Sequence, residues 1–205
     1  DSRRQHLLWV DILDHLLFIY EPATGNNRGM DLLQAVGTVV PRAKGGVVVA
    51  LHNGFAALDL ETERMVPMAD PEADIPGNRF NDGKCDPAGR LWAGTMAFDG
   101  MQNHEQGALY CLDLDGSVTQ KIGRVSVSNG IVWSSDARTM YFIDTAKDDV
   151  RAFDYDLDSG SISNERVTVR NDGSGHFDGM TIDEEGMIWV AIFGGSAVRR
   201  YNPDT

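Results

Sequence analysis

Five apolar, strand-like segments recur along this chain, and their spacing constrains the fold more than any other feature. Each follows a turn. Three copies are plain: Asp86 to Gly94, Asp136 to Asp144 and Asp183 to Ala191. Two weaker copies, Arg3 to Asp11 and Arg42 to Ala50, precede them. With Trp9, Val48, Trp92, Tyr141 and Trp189 as markers, the intervals are 39, 44, 49 and 48 residues. Strand-built repeats of about 40 to 50 residues predict an all-β chain of propeller blades. Further strands are expected at Gly107 to Asp113 and Val150 to Asp156, with turns at Pro22 to Gly25, Asp115-Gly116 and Asp158 to Gly160. No helical apolar period is sustained. Met68 to Asn78, with Pro71, Pro76 and Gly77, reads as an ordered loop because the rhythm continues across it.

Five markers amount to about four and a half blades, whereas a propeller protects its sheet edges by closing the ring. The expectation is one propeller domain over residues 1–205, truncated at both ends, with a five-bladed ring closed by a short terminal strand as the alternative. A net charge of −13 argues against nucleic acid or an anionic membrane as partner, since both need clustered Lys and Arg. No apolar run reaches the roughly 20 residues of a membrane span. Cys85 and Cys111 lack metal-ligand spacing and predict buried free thiols, hence a reducing, cytoplasmic setting.

Polar signatures sit at matched places in three repeats: Asn78 to Lys84, Ser128-Asn129-Gly130 and Phe177 to Met180. Asn81 lies 11 residues before Trp92, Asn129 lies 12 before Tyr141, and Asp178 lies 11 before Trp189. Equivalent positions in a symmetric repeat face the same way, so these side chains are expected to converge. The second repeat has Gly37 there, which suggests a position not held by packing. The competing reading is local, because Asn-Gly and Asp-Gly are common turn dipeptides. Asn129 and Asp178 offer hard oxygen ligands of the kind that select Ca²⁺, Mg²⁺ or Mn²⁺, with Zn²⁺ also compatible with a carboxylate. Arg79 and Asn81, two apart on a strand, share a face opposite Phe80 and are placed to grip one ligand.

Other motifs are set aside. Asp154 to Glu165 imitates a calcium loop, but Ser159 stands where that loop needs Gly and the flanks alternate like strands, so a hairpin is expected. The five histidines, His6, His15, His52, His104 and His176, have no metalloprotease spacing, and no Gly-x-Ser-x-Gly elbow occurs. Gly173-Ser174-Gly175 reads as a turn at a channel mouth, with His176 a loop histidine beside Asp178.

Taken in order, Asn78 to Gly94, Gly107 to Tyr110, Ser126 to Trp133, Phe153 to Asn164 and Asp178 to Ala191 resemble the consecutive motifs of the gluconolactonase/regucalcin (senescence marker protein) family, which includes luciferin-regenerating proteins. That resemblance implies a six-bladed propeller of four-stranded blades, with about four to five blades present here. It implies one divalent cation, Ca²⁺ first and Zn²⁺, Mg²⁺ or Mn²⁺ as alternatives, held by Asn129, Asp178 and a Glu before Asp1. It further implies substrate contacts from Arg79, Asn81 and Asp99, the last standing where some members carry Glu. The implied reaction opens a small-molecule sugar lactone to its aldonic acid, with the cation as Lewis acid and Asp178 as general base, directly or through water. The alternatives are a non-catalytic calcium-binding or ligand-binding propeller and a related esterase or phosphotriesterase.

Overall fold

A computed structural model describes residues 1–100 and 105–204 and folds them into five antiparallel sheets. The first sheet holds β1 (Leu7–Asp11), β2 (Leu16–Glu21) and β3 (Asn26–Asp31); the second holds β4 (Val36–Pro41), β5 (Val47–Leu51), β6 (Gly54–Leu58) and β7 (Met65–Ala69). The third comprises β8 (Asn78–Cys85), β9 (Leu91–Ala97), β10 (Gly107–Leu112) and β11 (Val118–Val125). The fourth comprises β12 (Ser128–Trp133), β13 (Thr139–Asp144), β14 (Asp149–Asp156) and β15 (Ser161–Arg170), and the fifth β16 (His176–Ile182), β17 (Ile188–Phe193) and β18 (Ala197–Tyr201). The six-blade count is thereby corrected to five in this chain, and the uniform four-stranded blade to the three central sheets. The reason lies in the terminal repeats: the first sheet starts with the strand bearing the marker Trp9, and the last ends at its third strand.

Alternation on the central strands explains how the sheets stack. Val47, Val49 and Leu51 face the first sheet and pack with Leu17, Ile19 and Met30. Val48 and Ala50, on the opposite face of the same strand, pack with Phe80, Leu91 and Ala93 of the third. Trp92 turns the other way, into a core with Ile131, Trp133, Phe142 and Tyr155. A fourth core joins Tyr141, Ile143 and Val150 to Phe177, Ile188 and Val190. Strands buried on both faces therefore read as continuous apolar runs. The outer faces of the first and last sheets stay open, with Trp9 stacked on Phe18 and with Phe193 and Val198 exposed.

The third and fourth sheets are also tied by a buried polar knot. Asp86 Oδ2 accepts hydrogen bonds from Arg90 Nε at 2.6 Å, Trp92 Nε1 at 3.0 Å and the Tyr155 hydroxyl at 2.7 Å. Arg90 continues across the interface to the Leu157 and Asp158 carbonyls. Gly160, at φ +63°, lies so close that an added Cβ would sit 2.9 Å from the Arg90 guanidinium. Burial pushes the Asp86 carboxyl up, but the bonds from Tyr155, Arg90 and Trp92 prevail and hold it below its usual range. The same Asp-to-Trp bond recurs in the fifth sheet between Asp183 and Trp189 at 2.8 Å, where Asp183 is drawn down to about 2. The repeat's turn aspartate thus caps its marker strand.

The expected hairpin and ordered loop are found. Asp154 pairs with Arg166 and Asn164 across the β14–β15 hairpin, and the loop over residues 70–77 is ordered around buried Glu72. Cys85 and Cys111 are free; Cys111 is buried and its thiol pushed up to about 12, while Cys85 is half-buried. Among the described residues no helix is long and apolar enough to cross a membrane. His104 lies outside the described residues.

Removing the Asp86 carboxylate strands the Arg90 charge in the core. Asp86→Ala is expected to cost about 3–5 kcal/mol, read as a lower urea midpoint at pH 7. Because the Asp86 pKa is depressed, that stabilisation is present above the ordinary carboxylate range and is lost as pH falls through the depressed value.

Candidate functional site

The first strands of the four later sheets face one another: β4 packs on β8, β8 on β12 and β12 on β16. In a regular pleat their side chains would alternate between the neighbouring sheets. Each of these strands instead carries a one-residue β-bulge, between Val36 and Thr38, Phe80 and Gly83, Ser128 and Ile131, and Phe177 and Met180. A bulge turns the local backbone and re-aims its side chains. The markers fix the equivalence: Val40, Lys84, Val132 and Thr181 pair with Val48, Trp92, Tyr141 and Trp189, and three residues before each stand Gly37, Asn81, Asn129 and Asp178. All four line one cavity of about 980 Å³. The Asn-Gly and Asp-Gly pairs are therefore bulges on inner strands and not turns.

Gly37 corrects one expectation. A Cβ there would lie 2.4 Å from the Asn81 carbonyl oxygen and 2.5 Å from that of Phe80, so the position is held by packing after all. Gly130 is similarly pressed against Met180 and the Asp178 carbonyl, whereas Gly179 has open space around it. Tight backbone approach on one side and open cavity on the other set what each bulge can carry.

Asn129 donates from Nδ2 to Thr145 Oγ1 at 2.8 Å and lies near enough to Asp178 to draw its carboxyl down. The two candidate ligands thus line the same cavity as neighbours. Burial raises the Asp178 carboxyl above its usual value, outweighing the pull of Asn129 and the Gly179 N–H. Asp82, half-buried on the β8 bulge, is raised by burial and further by the Asp178 charge, against the pull of the Gly83 N–H and Lys84. Lys84 reaches the Met180 carbonyl at 3.4 Å, and burial lowers its ammonium.

Arg79 and Asn81 come together as expected: Arg79 Nη1 donates to Asn81 Oδ1 at 2.8 Å and to the Phe80 carbonyl at 3.0 Å. Asn81 Nδ2 donates to the Ser128 carbonyl at 2.8 Å, tying the third sheet to the fourth. Phe80 turns away into the core. Asp99 is exposed in the turn after β9 and is not among the cavity-lining residues, although Gly100 is.

His176 is not a simple loop residue, since it opens β16 and lines the cavity beside Asp148, with Nδ1 3.4 Å from the Asp148 carboxylate. Asp148 also accepts from the Asn171 amide and the Phe177 N–H, and its backbone is left-handed at φ 53°. Sequence reasoning passed over Asp82 and Asp148. Asp82 stood inside a quoted signature, while Asp148 comes from a turn with no repeat signal.

As for a cation, Asn129 and Asp178 supply an amide and a carboxylate oxygen to one cavity, and the Asp178 charge in turn disfavours ionisation of Asp82 beside it. Hard-oxygen chemistry and unrelieved like charge fit a divalent ion. No cluster of three or more His, Cys, Asp or Glu suited to a metal occurs among the described residues, so the fit rests on a mixed amide and carboxylate pair.

A cavity ringed by bulged inner strands marks the chain as a β-propeller with a candidate binding site, and its family follows from comparison. The chain belongs to the SMP-30/Gluconolactonase/LRE-like family, which it matches over residues 1–205. It is 40% identical over 204 residues to the "Putative sugar lactone lactonase YvrE" of Bacillus subtilis strain 168, covering 99% of this chain and 69% of that protein. A luciferin-regenerating enzyme superposes with a TM-score of 0.95 at 34% identity, over 99% of this chain and 70% of that one. The calcium-binding protein regucalcin from Agrobacterium tumefaciens gives 0.93 at 30% identity, over 100% and 68%.

Because the Asp178 pKa is raised, the folded state holds this proton more tightly than the unfolded chain. The stability it favours is present at low pH and falls as pH rises from the ordinary carboxylate range to the raised value. In EDTA, Asp178→Asn is expected to melt above wild type at pH 8, with the gap closing toward pH 4, as scanning calorimetry would read.

Proposed function

We propose that residues 1–205 act as one propeller domain that hydrolyses sugar lactones to aldonic acids with a divalent cation, Ca²⁺ first and Zn²⁺, Mg²⁺ or Mn²⁺ as alternatives. The observation that carries the reading is the convergence of Asn81, Asn129 and Asp178 from three equivalent bulges on one cavity. Family membership and the 40% identity to YvrE support the substrate class. The calcium-binding description of the Agrobacterium relative supports the choice of ion. The partner in this reading is a small molecule, with no role for nucleic acid or membrane, and the free thiols Cys85 and Cys111 suit the cytoplasm.

In this proposal Asn129 and Asp178 hold the cation. Bound there, the cation supplies Lewis-acid polarisation of the lactone carbonyl. Arg79 and Asn81, already joined by a hydrogen bond, hold the sugar's substituents and fix the carbonyl in place. Asp99 adds a contact from the rim. Asp178 accepts the proton of the water that adds to the carbonyl carbon. As the ring C–O bond breaks, that proton passes to the departing ring oxygen, leaving the open hydroxy acid.

A pH-stat assay on an aldonolactone panel tests this. Activity is expected to vanish in EDTA and return with added Ca²⁺ or another divalent ion. Asp178→Ala should lose about 10²-fold or more in kcat together with cation binding, and Arg79→Ala should mainly raise KM. Cation binding with no turnover on any lactone would favour the non-catalytic calcium-binding reading, and normal turnover by Asp178→Ala would overturn the assignment.

A further inference from the structure

One edge of the cavity is built around His176 with more structure than the start of a strand needs. His176 opens β16 and lines the cavity two positions before Asp178, while Phe177 between them is buried in the core. At about 3.3 Å of rise per residue, the two cavity positions stand about 7 Å apart along the strand. The His176 side chain is 53% exposed, and its Nδ1 lies 3.4 Å from Asp148 Oδ2. Phe193, its cross-strand partner on β17, also lines the cavity but offers it only apolar surface. Of this pair, only the His176 side chain can hydrogen-bond a ligand.

Asp148 sets the imidazole. It closes the turn Thr145–Lys147 in a left-handed conformation, φ 53° and ψ 38°, a region that non-glycine residues occupy at a cost. Its Oδ1 accepts from the Phe177 N–H at 2.9 Å and from the Asn171 amide at 3.1 Å, and its Oδ2 accepts from the same amide at 3.0 Å. Asn171 is fixed in turn, with Nδ2 also donating to the Gly175 carbonyl at 2.7 Å and its N–H to the Asp148 carbonyl at 3.1 Å. All of these donors are neutral. Among the described residues His176 is the one basic side chain within ion-pair distance of Asp148. A carboxylate only accepts, so the neutral imidazole keeps its proton on Nδ1, toward Asp148, and leaves Nε2 as an acceptor. No hydrogen bond occupies that nitrogen among the described residues.

We infer that His176 is a specificity-determining residue: oriented by Asp148, its Nε2 accepts a hydrogen bond from a hydroxyl of the lactone bound beside Asp178. The inference rests on the lactonase reading and deepens it, because it gives hydroxylated rings a contact that bare ring esters cannot make. Asp148 acts through His176, as a positioning residue.

Binding without turnover isolates this contact, with two ring-opened acids as probes: gluconate, hydroxylated along its length, and 5-hydroxypentanoate, which keeps only the terminal hydroxyl. Calorimetric titration in Ca²⁺ is expected to show wild type preferring gluconate, and His176→Phe or His176→Ala to cut that preference about three- to tenfold by weakening gluconate alone. Asp148→Asn should reduce the same preference in the wild-type background and change nothing further in His176→Phe, whereas a merely structural Asp148 would weaken both acids alike. Equal affinity of wild type for the two acids overturns the inference, as does an undiminished preference in whichever of His176→Phe and His176→Ala is folded. Turnover of glucono-1,5-lactone in a pH-stat separates the two claims. A His176-dependent gluconate preference with no turnover of any lactone sinks the lactonase reading alone, and turnover with a preference independent of His176 sinks this inference alone.

Discussion

Sheets stacked face to face around an axis leave no side chain naturally aimed at the axis. The first strands β4, β8 and β12 are flanked by neighbouring sheets on both faces, so a regular pleat would send every residue into one interface or the other. One extra residue in β4, β8, β12 and β16 breaks that alternation at the same height in each strand. The cavity lining depends on this local irregularity. Without it Asn129 and Asp178 would belong to packing, and the molecule would be four apolar interfaces with no polar centre.

The surrounding structure works to keep the irregularity in place. Asn81 spans from its own bulge to the Ser128 carbonyl on the next, and Gly37 and Gly130 let adjacent backbones approach to distances no side chain would tolerate. Farther from the axis, the Asp86–Arg90–Tyr155 knot locks the third sheet against the fourth. Rigid placement of the strands is what lets a carboxylate and an amide from different blades meet with their charge only partly relieved. The raised Asp178 and Asp82 are the electrostatic mark of that placement.

Much of this was legible in the sequence because the signals were local and repeated. The markers fell on equivalent strands, β1, β5, β9, β13 and β17, and the matched spacing of Asn81, Asn129 and Asp178 reflects a shared register. Less visible was the blade count, since a resemblance carries its family's architecture while the chain itself forms five sheets. Gly37 was misjudged for a physical reason: a missing side chain looks like freedom in a sequence, whereas here it marks the closest backbone contact. Asp148 left no trace because its role depends on Asn171 and Phe177, which are distant in the chain.

The sequence by itself determined the strand rhythm, the two-faced burial of the central strands and the residue types offered at each bulge, because these are properties of neighbours along one chain. Only the tertiary structure decided that the three offered side chains share one cavity and that Asp82 and Asp148 join them. Convergence and charge compensation depend on distances between blades, and those are fixed by how the apolar faces stack, not by any spacing within a repeat.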